Sequence, residues 1–394
     1  QWFVELEGLR EGALEALQSV ELLPPSGRQR LEAFVRGRSE WCLSRQRSWG
    51  VPLPAFYHKQ TGEALLTEET VEHVRSLVAM HGSSCWWEMD EAQLLPPRLQ
   101  HEAGNWSKGA DTLDVWFDSG ASWSAVLPQQ EDAAATAPPL ADLYLEGSDQ
   151  HRGWFQSSLL THVGAKGASR GAPYASIVTH GFVVDERGAK MSKSIGNVIL
   201  PSELIEGIAA AAPQAAAAAE APAAEPMTGR DMKSAKKTKK QRKAERNDRG
   251  KQGPLGVDVL RLWVAMSDWT SDVAIGESVL QKPREAYRRL RNSCRFMLGN
   301  LHDFDAATDS VPLDELRGGD RYMLHQLAAF AKAVEASHDA HQTHRVVSSA
   351  IVLAGDALSA DYFDAAKERL YCADATGISR RSVQTVLHHS LDTL

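Results

Sequence analysis

The sequence predicts an α/β unit with parallel strands, followed by an all-α helix bundle. Three observations carry that expectation. Residues 141–147 form a short apolar run ending in a turn, residues 151–163 follow with a helical pattern, and residues 175–184 return to a β-branched, apolar run. Strand, helix, strand in that order implies parallel strands joined by a crossover. From residue 256 onward, apolar residues recur every three or four positions, the period of amphipathic helices.

Taken in order, Ala141–Gly147 reads as a buried strand and His151–Val163 as a helix. Ala175–Val184 reads as one further strand, followed by the loop Asp185-Glu186-Arg187-Gly188. In parallel sheets ligands sit at the carboxyl ends of strands, here near Glu146 and His180. Ile208–Glu225 is almost pure Ala with Pro, and Lys233–Lys251 is rich in Lys and Arg. Neither stretch has large apolar residues to bury, so both are expected to be disordered or only transiently helical. Helical stripes then follow at Tyr287–Leu298, beside a basic face, at Met323–Val334 through Leu324, Leu327, Ala328 and Ala331, and at Val346–Phe363 through Val347, Ile351 and Leu358. Several such helices with short links imply a bundle.

Composition narrows the class. Hydrophobic residues make up 43% and charged residues 24% of 394 residues, a globular profile with room for two or three domains. No stretch approaches the roughly 20 unbroken apolar residues of a membrane span, so no membrane partner is expected. The net charge of −8 argues against a wholly basic nucleic-acid coat, although local patches govern that contact. Cys42, Cys85, Cys294 and Cys372 form no CxxC pair and read as reduced structural thiols. The start, Gln1-Trp2-Phe3-Val4-Glu5, does not read as a signal peptide, and the chain is expected to begin within a longer protein.

The sharpest chemical signal is Lys190-Met191-Ser192-Lys193-Ser194, followed by Ile195-Gly196-Asn197. Two lysines three apart on a Gly-flanked loop can reach one anionic group, and the serine hydroxyls can donate to its oxygens. A mobile positive charge suits a transferring phosphoryl group. A second signal is Leu143–Phe155, with Glu146 at a strand end, then Gly147, then Asp149-Gln150 opening a helix. Gly permits close backbone approach, and helix N-termini offer amide donors. Read from the residues alone, Asp149 equally fits a helix cap, and Trp154 and Phe155 a core.

Both strings, with Asp111–Trp123 and Trp41–Pro54, resemble isoleucyl members of the class I aminoacyl-tRNA synthetase family. The resemblance covers nearly the whole chain apart from roughly 207–255. It implies the second half of a Rossmann-like parallel sheet, followed by an all-α helix-bundle anticodon-binding domain. It implies that the loop contacts ATP through Lys190, Met191, Ser192, Lys193 and Ser194, with Lys190 and Lys193 catalytic. It also implies that Glu146 holds the amino group of the aminoacyl-adenylate, that Gly147, Asp149 and Gln150 line its ribose, and that Trp154 walls the side-chain pocket. Asp111–Trp123 is similar to the family's other pocket strand, which would put Trp116 beside isoleucine; an ordinary core Trp remains the alternative for that residue. Ser48 stands where an aromatic residue is usual, and Ala121 where Ser is usual.

The implied layout is an exit segment of the editing insertion at 1–30 and the catalytic half at 31–206. The Ala/Pro- and Lys/Arg-rich insertion at 207–255 comes next, then a linking helical region at 256–305 and a partial anticodon-binding bundle at 306–394. The insertion reads either as a flexible basic tether for tRNA, through Lys236, Lys237, Lys239, Lys240, Arg242 and Lys243, or as a tolerated loop or gene-model artefact. The implied function is an isoleucine-tRNA ligase using isoleucine, ATP with Mg²⁺, and tRNA(Ile), with no zinc and a monomeric state. Alternatives are a non-catalytic synthetase-like RNA-binding protein, or a valyl enzyme of the same class. The family's HIGH motif is absent from this sequence, so the piece alone is expected to form no adenylate. The motifs are bacterial in type, which fits a cytoplasm or, in a eukaryote, a mitochondrion or plastid.

Overall fold

The computed structural model describes residues 1–47, 50–127, 140–206 and 254–394. The 207–253 part of the insertion, with its basic cluster, and Ser48 therefore lie outside the described residues. The chain divides into two compact units, Gln1–His180 and Gly181–Leu394.

The first unit is organised by a parallel three-stranded sheet in the order Glu21–Leu23, Tyr174–His180, Ala141–Gly147. The register sets Thr179 opposite Glu146 and His180 opposite Gly147, so the carboxyl ends of two strands finish side by side. Ala141–Gly147 is the edge strand of this sheet, with Leu143 and Leu145 exposed, where the sequence suggested a buried strand. The helix Trp154–Lys166 packs on the sheet and buries Phe155, Leu159, Leu160 and Val163 together with Gln156, Ser157, Ser158 and His162. Buried polar groups around a helix covered on most of its faces favour pairing. Gln156 Nε2 donates to the Phe34 carbonyl at 2.9 Å, and the Tyr174 hydroxyl donates to the Phe155 carbonyl at 3.0 Å. Residues 1–30, read as an exit segment, contribute Leu6, Ala13, Leu14, Leu17, Val20 and Leu22 to this same core.

Residues 56–108 hold a feature that the sequence reading passed over. A small antiparallel sheet, Ala64–Leu65, Phe56–His58 and Trp106–Lys108, closes over its own core of Phe56, Val74, Trp86, Leu94 and Leu95. Trp86 is fully buried there, with its indole N–H donating to the Gly109 carbonyl at 3.0 Å.

The expected single strand Ala175–Val184 is broken. It ends at His180, and a separate strand, Val183–Asp185, pairs in parallel with Val273–Ile275 in the second unit. The cause is local. A Cβ on Gly181 would lie 2.2 Å from the Ser271 backbone, and Gly181 N donates to the Trp269 carbonyl while Phe182 N donates to Asp272 Oδ1. Those bonds turn the chain before Val183.

The rest of the second unit is helical, as the periodicity predicts. Trp263, Ile275 and Leu280 form a small core beneath the two-stranded sheet. The helices Glu277–Asn300, Gly318–Asp339, Phe363–Tyr371 and Ile378–Thr393 enclose a larger one built on Met297, Met323, Leu327, Leu358, Phe363, Val383, Val386 and Leu387. Buried charge in this bundle is paired: Arg369 binds Asp320 at 2.7 Å, and Tyr362 donates to the same carboxylate. Between Leu353 and Tyr362 the helical run is π-wound. The continuous stretch Thr343–Tyr371, 29 residues long, is long and apolar enough by length and composition to cross a bilayer; Leu353, Leu358, Phe363, Ala366 and Leu370 on it belong to the bundle core.

Candidate active site

In the first unit the candidate residues gather where the Ala141–Gly147 strand runs into the Trp154–Lys166 helix. A 3₁₀ turn, Ser148–Arg152, joins the two. Glu146 is exposed at the strand end and accepts from its neighbour Gly147 N at 3.0 Å, which aims the carboxylate across the turn. Asp149 is exposed. It does not cap the helix; Gln150 does, its Oε1 accepting from Trp154 N at 3.0 Å. The helix N-terminus is therefore partly closed, and Gln150 Nε2 donates to Asp149 Oδ2 at 3.3 Å, which joins the two side chains at the turn. His151 supports the turn from below, its Nδ1 2.7 Å from the Ser148 carbonyl, and burial pushes its pKa down.

Trp154 stacks on Tyr144 with ring centroids 4.1 Å apart, and its indole N–H donates to the Ser119 carbonyl and Ser122 Oγ. Trp116 lies close by, because a Cβ on Gly153 would come within 2.9 Å of the Trp116 ring and 2.6 Å of Gln150 Oε1. Glycine at 153 is what allows indole, amide and backbone to meet. Trp116 itself is 41% exposed, so it offers an open aromatic face rather than core packing.

The expectation that Asp111–Trp123 is a strand is corrected. Only Thr112–Leu113 is strand, and Val115–Gly120 is a short helix. Asp114 makes the change, accepting from Trp116 N at 3.3 Å as the cap. The Asp114 carboxylate is buried, receiving Trp41 Nε1 at 2.9 Å and Arg45 Nη2 at 2.8 Å. Sequence reasoning matched both strings and missed this link between them; a lone Asp ahead of two aromatics carries no such signal.

In the second unit Lys190–Ser194 leaves the Val183–Asp185 strand through a tight turn and forms a bridge back to Val184. Met191 packs against the small core around Trp263, and the turn Lys193–Gly196 closes with Gly196 at φ +71. Ser192 Oγ accepts from Ile195 N and lies 3.1 Å from Ser194 Oγ. Lys190 and Lys193 are both exposed, and neither forms an ion pair among the described residues; Lys190 Nζ lies 5.9 Å from the centre of the Phe182 ring. Two unpaired ammonium groups beside two hydroxyls make a site that can take a polyanion.

The family profile described as tRNA synthetases class I (I, L, M and V) matches residues 1–276, and that of the anticodon-binding domain of tRNA ligase matches 320–394. The chain belongs to the class I tRNA synthetase family, and holds its Rossmann-like parallel sheet and its anticodon-binding bundle. Isoleucine–tRNA ligases are among its curated relatives. The isoleucine–tRNA ligase of Rippkaea orientalis is 44% identical over all 394 residues, and that of Prochlorococcus marinus 45% over 387 residues, 98% of this chain. The chain spans only 36% and 35% of those two proteins. Among solved structures, a Mycobacterium tuberculosis methionyl-tRNA synthetase with methionyl-adenylate matches with a TM-score of 0.59 at 16% identity, covering 99% of this chain and 58% of that one. The Agrobacterium radiobacter LeuRS complex with tRNA matches with a TM-score of 0.54 at 18% identity, covering 90% and 40%. These two likenesses concern the fold.

Proposed function

We propose that this chain carries the second half of the amino-acid-activating site, and the start of the anticodon-binding part, of an isoleucine–tRNA ligase. The observation that carries the reading is 44–45% identity to isoleucine–tRNA ligases over 98–100% of the chain. In this reading the isoleucine carboxylate attacks the α-phosphate of ATP, pyrophosphate leaves, and a terminal ribose hydroxyl of tRNA(Ile) then takes the isoleucyl group. Glu146 faces the substrate ammonium, Gly147, Asp149 and the side-chain amide of Gln150 line the ribose, and Trp116 and Trp154 bound the side-chain pocket. Lys190 and Lys193, with Ser192 between them and Ser194 next after, meet the triphosphate. Such sites work through orientation and charge, without a covalent nucleophile.

Mg²⁺ arrives with ATP as part of the substrate in this reading. We also place the protein, as a monomer outside membranes, wherever a bacterial-type translation apparatus runs: a bacterial cytoplasm or a eukaryotic organelle.

The test is ATP–pyrophosphate exchange by the full-length gene product, with isoleucine and valine in competition. Isoleucine should be preferred, but only to a limited degree, because one methylene in an apolar pocket is worth ~1–3 kcal/mol, a range documented in enzymes of this family. Absence of exchange with any amino acid, from a folded protein that still binds tRNA, would leave a non-catalytic relative as the better account.

The helix Glu277–Asn300 supports the tRNA part of the reading. Arg284, Arg288, Arg291 and Arg295 recur at i, i+4, i+7 and i+11, which puts them on one stripe, and none forms an ion pair among the described residues. Replacing Arg288 and Arg295 by Gln should weaken tRNA binding about tenfold and lower the slope of log K against log salt by roughly 2, one unit per lost phosphate contact. Exchange activity should stay unchanged. Filter binding at several salt concentrations reads both, and an unaltered slope removes this helix from the RNA-binding surface.

A further inference from the structure

We propose that Asn197 and Asp185 are positioning residues for the Lys190–Ser194 loop, a side-chain latch that fixes its main chain while leaving both lysine side chains free. The proposal rests on the reading of that loop as the triphosphate contact. Asn197 Oδ1 accepts from Ser192 N at 2.9 Å, and its Nδ2 donates to the Lys190 carbonyl at 3.2 Å and to Asp185 Oδ2 at 3.0 Å. The other Asp185 oxygen accepts from Arg187 N at 3.0 Å and Ala189 N at 2.8 Å. One amide thus grips both the entry and the middle of the loop, and one carboxylate grips the turn that leads into it.

Asparagine suits this position because a single short side chain must offer an acceptor to Ser192 N and donors to two oxygens. Aspartate has no donor, and serine has one hydroxyl for three partners. The Asn197 amide and the Ala189 N–H hold the Asp185 carboxyl below the usual carboxylate range, so it stays an acceptor at neutral pH. Both residues are partly exposed, and the other ties on the loop include the Lys190 bridge to Val184, the Met191 packing and the Ser192 turn. Loss of the latch should therefore shift the loop without unfolding the unit. A displacement of about 1 Å in a charge-stabilising group can cost ~100-fold in rate.

The experiment uses the full-length gene product and steady-state ATP–pyrophosphate exchange. Asn197→Ala should lower kcat about tenfold or more and leave the KM for isoleucine and the melting temperature in place. Asn197→Asp, which sets two carboxylates face to face, should lose at least as much. The double variant Asp185→Asn/Asn197→Asp rebuilds the amide-to-carboxylate bond in reverse and should recover part of the loss, short of full activity because the Lys190 carbonyl keeps no donor. Full activity in Asn197→Ala, or a double variant no better than Asn197→Asp, overturns the latch. Lys193→Ala run alongside separates the two readings. If it too retains full activity, the triphosphate reading fails and takes the latch with it; if it collapses while Asn197→Ala does not, only the latch fails.

Discussion

Lys193→Ala in the full-length gene product is expected to lower isoleucine-dependent ATP–pyrophosphate exchange by about 10²–10³-fold, the range seen when one preorganised charge stabiliser is removed from a transition state. Lys193 is exposed at the start of the Lys193–Gly196 turn, with no ion pair among the described residues. Its removal leaves no buried partner stranded, so the melting temperature should not change. The turn is held by main-chain and serine bonds that do not involve the ammonium, Gly196 N to the Ser192 carbonyl and Ile195 N to Ser192 Oγ among them. The loss should fall on kcat, because charge on the transferring group grows between ground and transition state. Lys193→Arg keeps the charge but spreads it over a planar fork, and should recover only part of the rate. A variant that exchanges pyrophosphate at the unsubstituted rate would remove Lys193 from the reaction.

What the sequence made legible follows from what its signals are. Helical periodicity in Tyr287–Leu298, Met323–Val334 and Val346–Phe363 became helices, since an apolar stripe at that spacing can be buried in no other conformation. The Glu146–Gln150 string was legible as a unit because its residues are consecutive, and a strand-to-helix turn brings consecutive residues together without help from the rest of the fold. The strand 175–184 misled because its pattern is continuous in composition; the break at Gly181 comes from Ser271 and Asp272, some ninety residues later in the chain. The same reason hid the antiparallel sheet at 56–108, whose strands are two or three residues long and are held by a core assembled from the helices between them. The alternative reading of Asp149 as the helix cap fails for a finer reason. A cap needs its oxygen over the first free amides, and the 3₁₀ turn sets Gln150, not Asp149, in that place.

Asp114 is the point where stability and pocket shape meet, and Asp114→Ala is expected to damage both. Its carboxylate receives Arg45, the Trp41 indole and the Trp116 amide, so removal strands three donors at once. Breaking a buried ion pair from one side costs about 3–5 kcal/mol. Arg45 keeps 36% of its side chain exposed and can turn to water, which moves the expected cost below that range, to about 2–3 kcal/mol. For a unit of this size that is a fall of about 5–10 °C in melting temperature. Asp114→Asn should lose less, since its oxygen still accepts from Trp41 or caps Trp116 while only the charge opposite Arg45 is gone. The functional effect should appear in the KM for isoleucine rather than in kcat, because Trp116 is placed by the cap and the triphosphate contacts lie on a separate loop. Thermal melting and isoleucine titrations on the same two variants decide it. A lower melting temperature with an unchanged KM would make Asp114 a purely structural anchor and would take Trp116 out of the pocket.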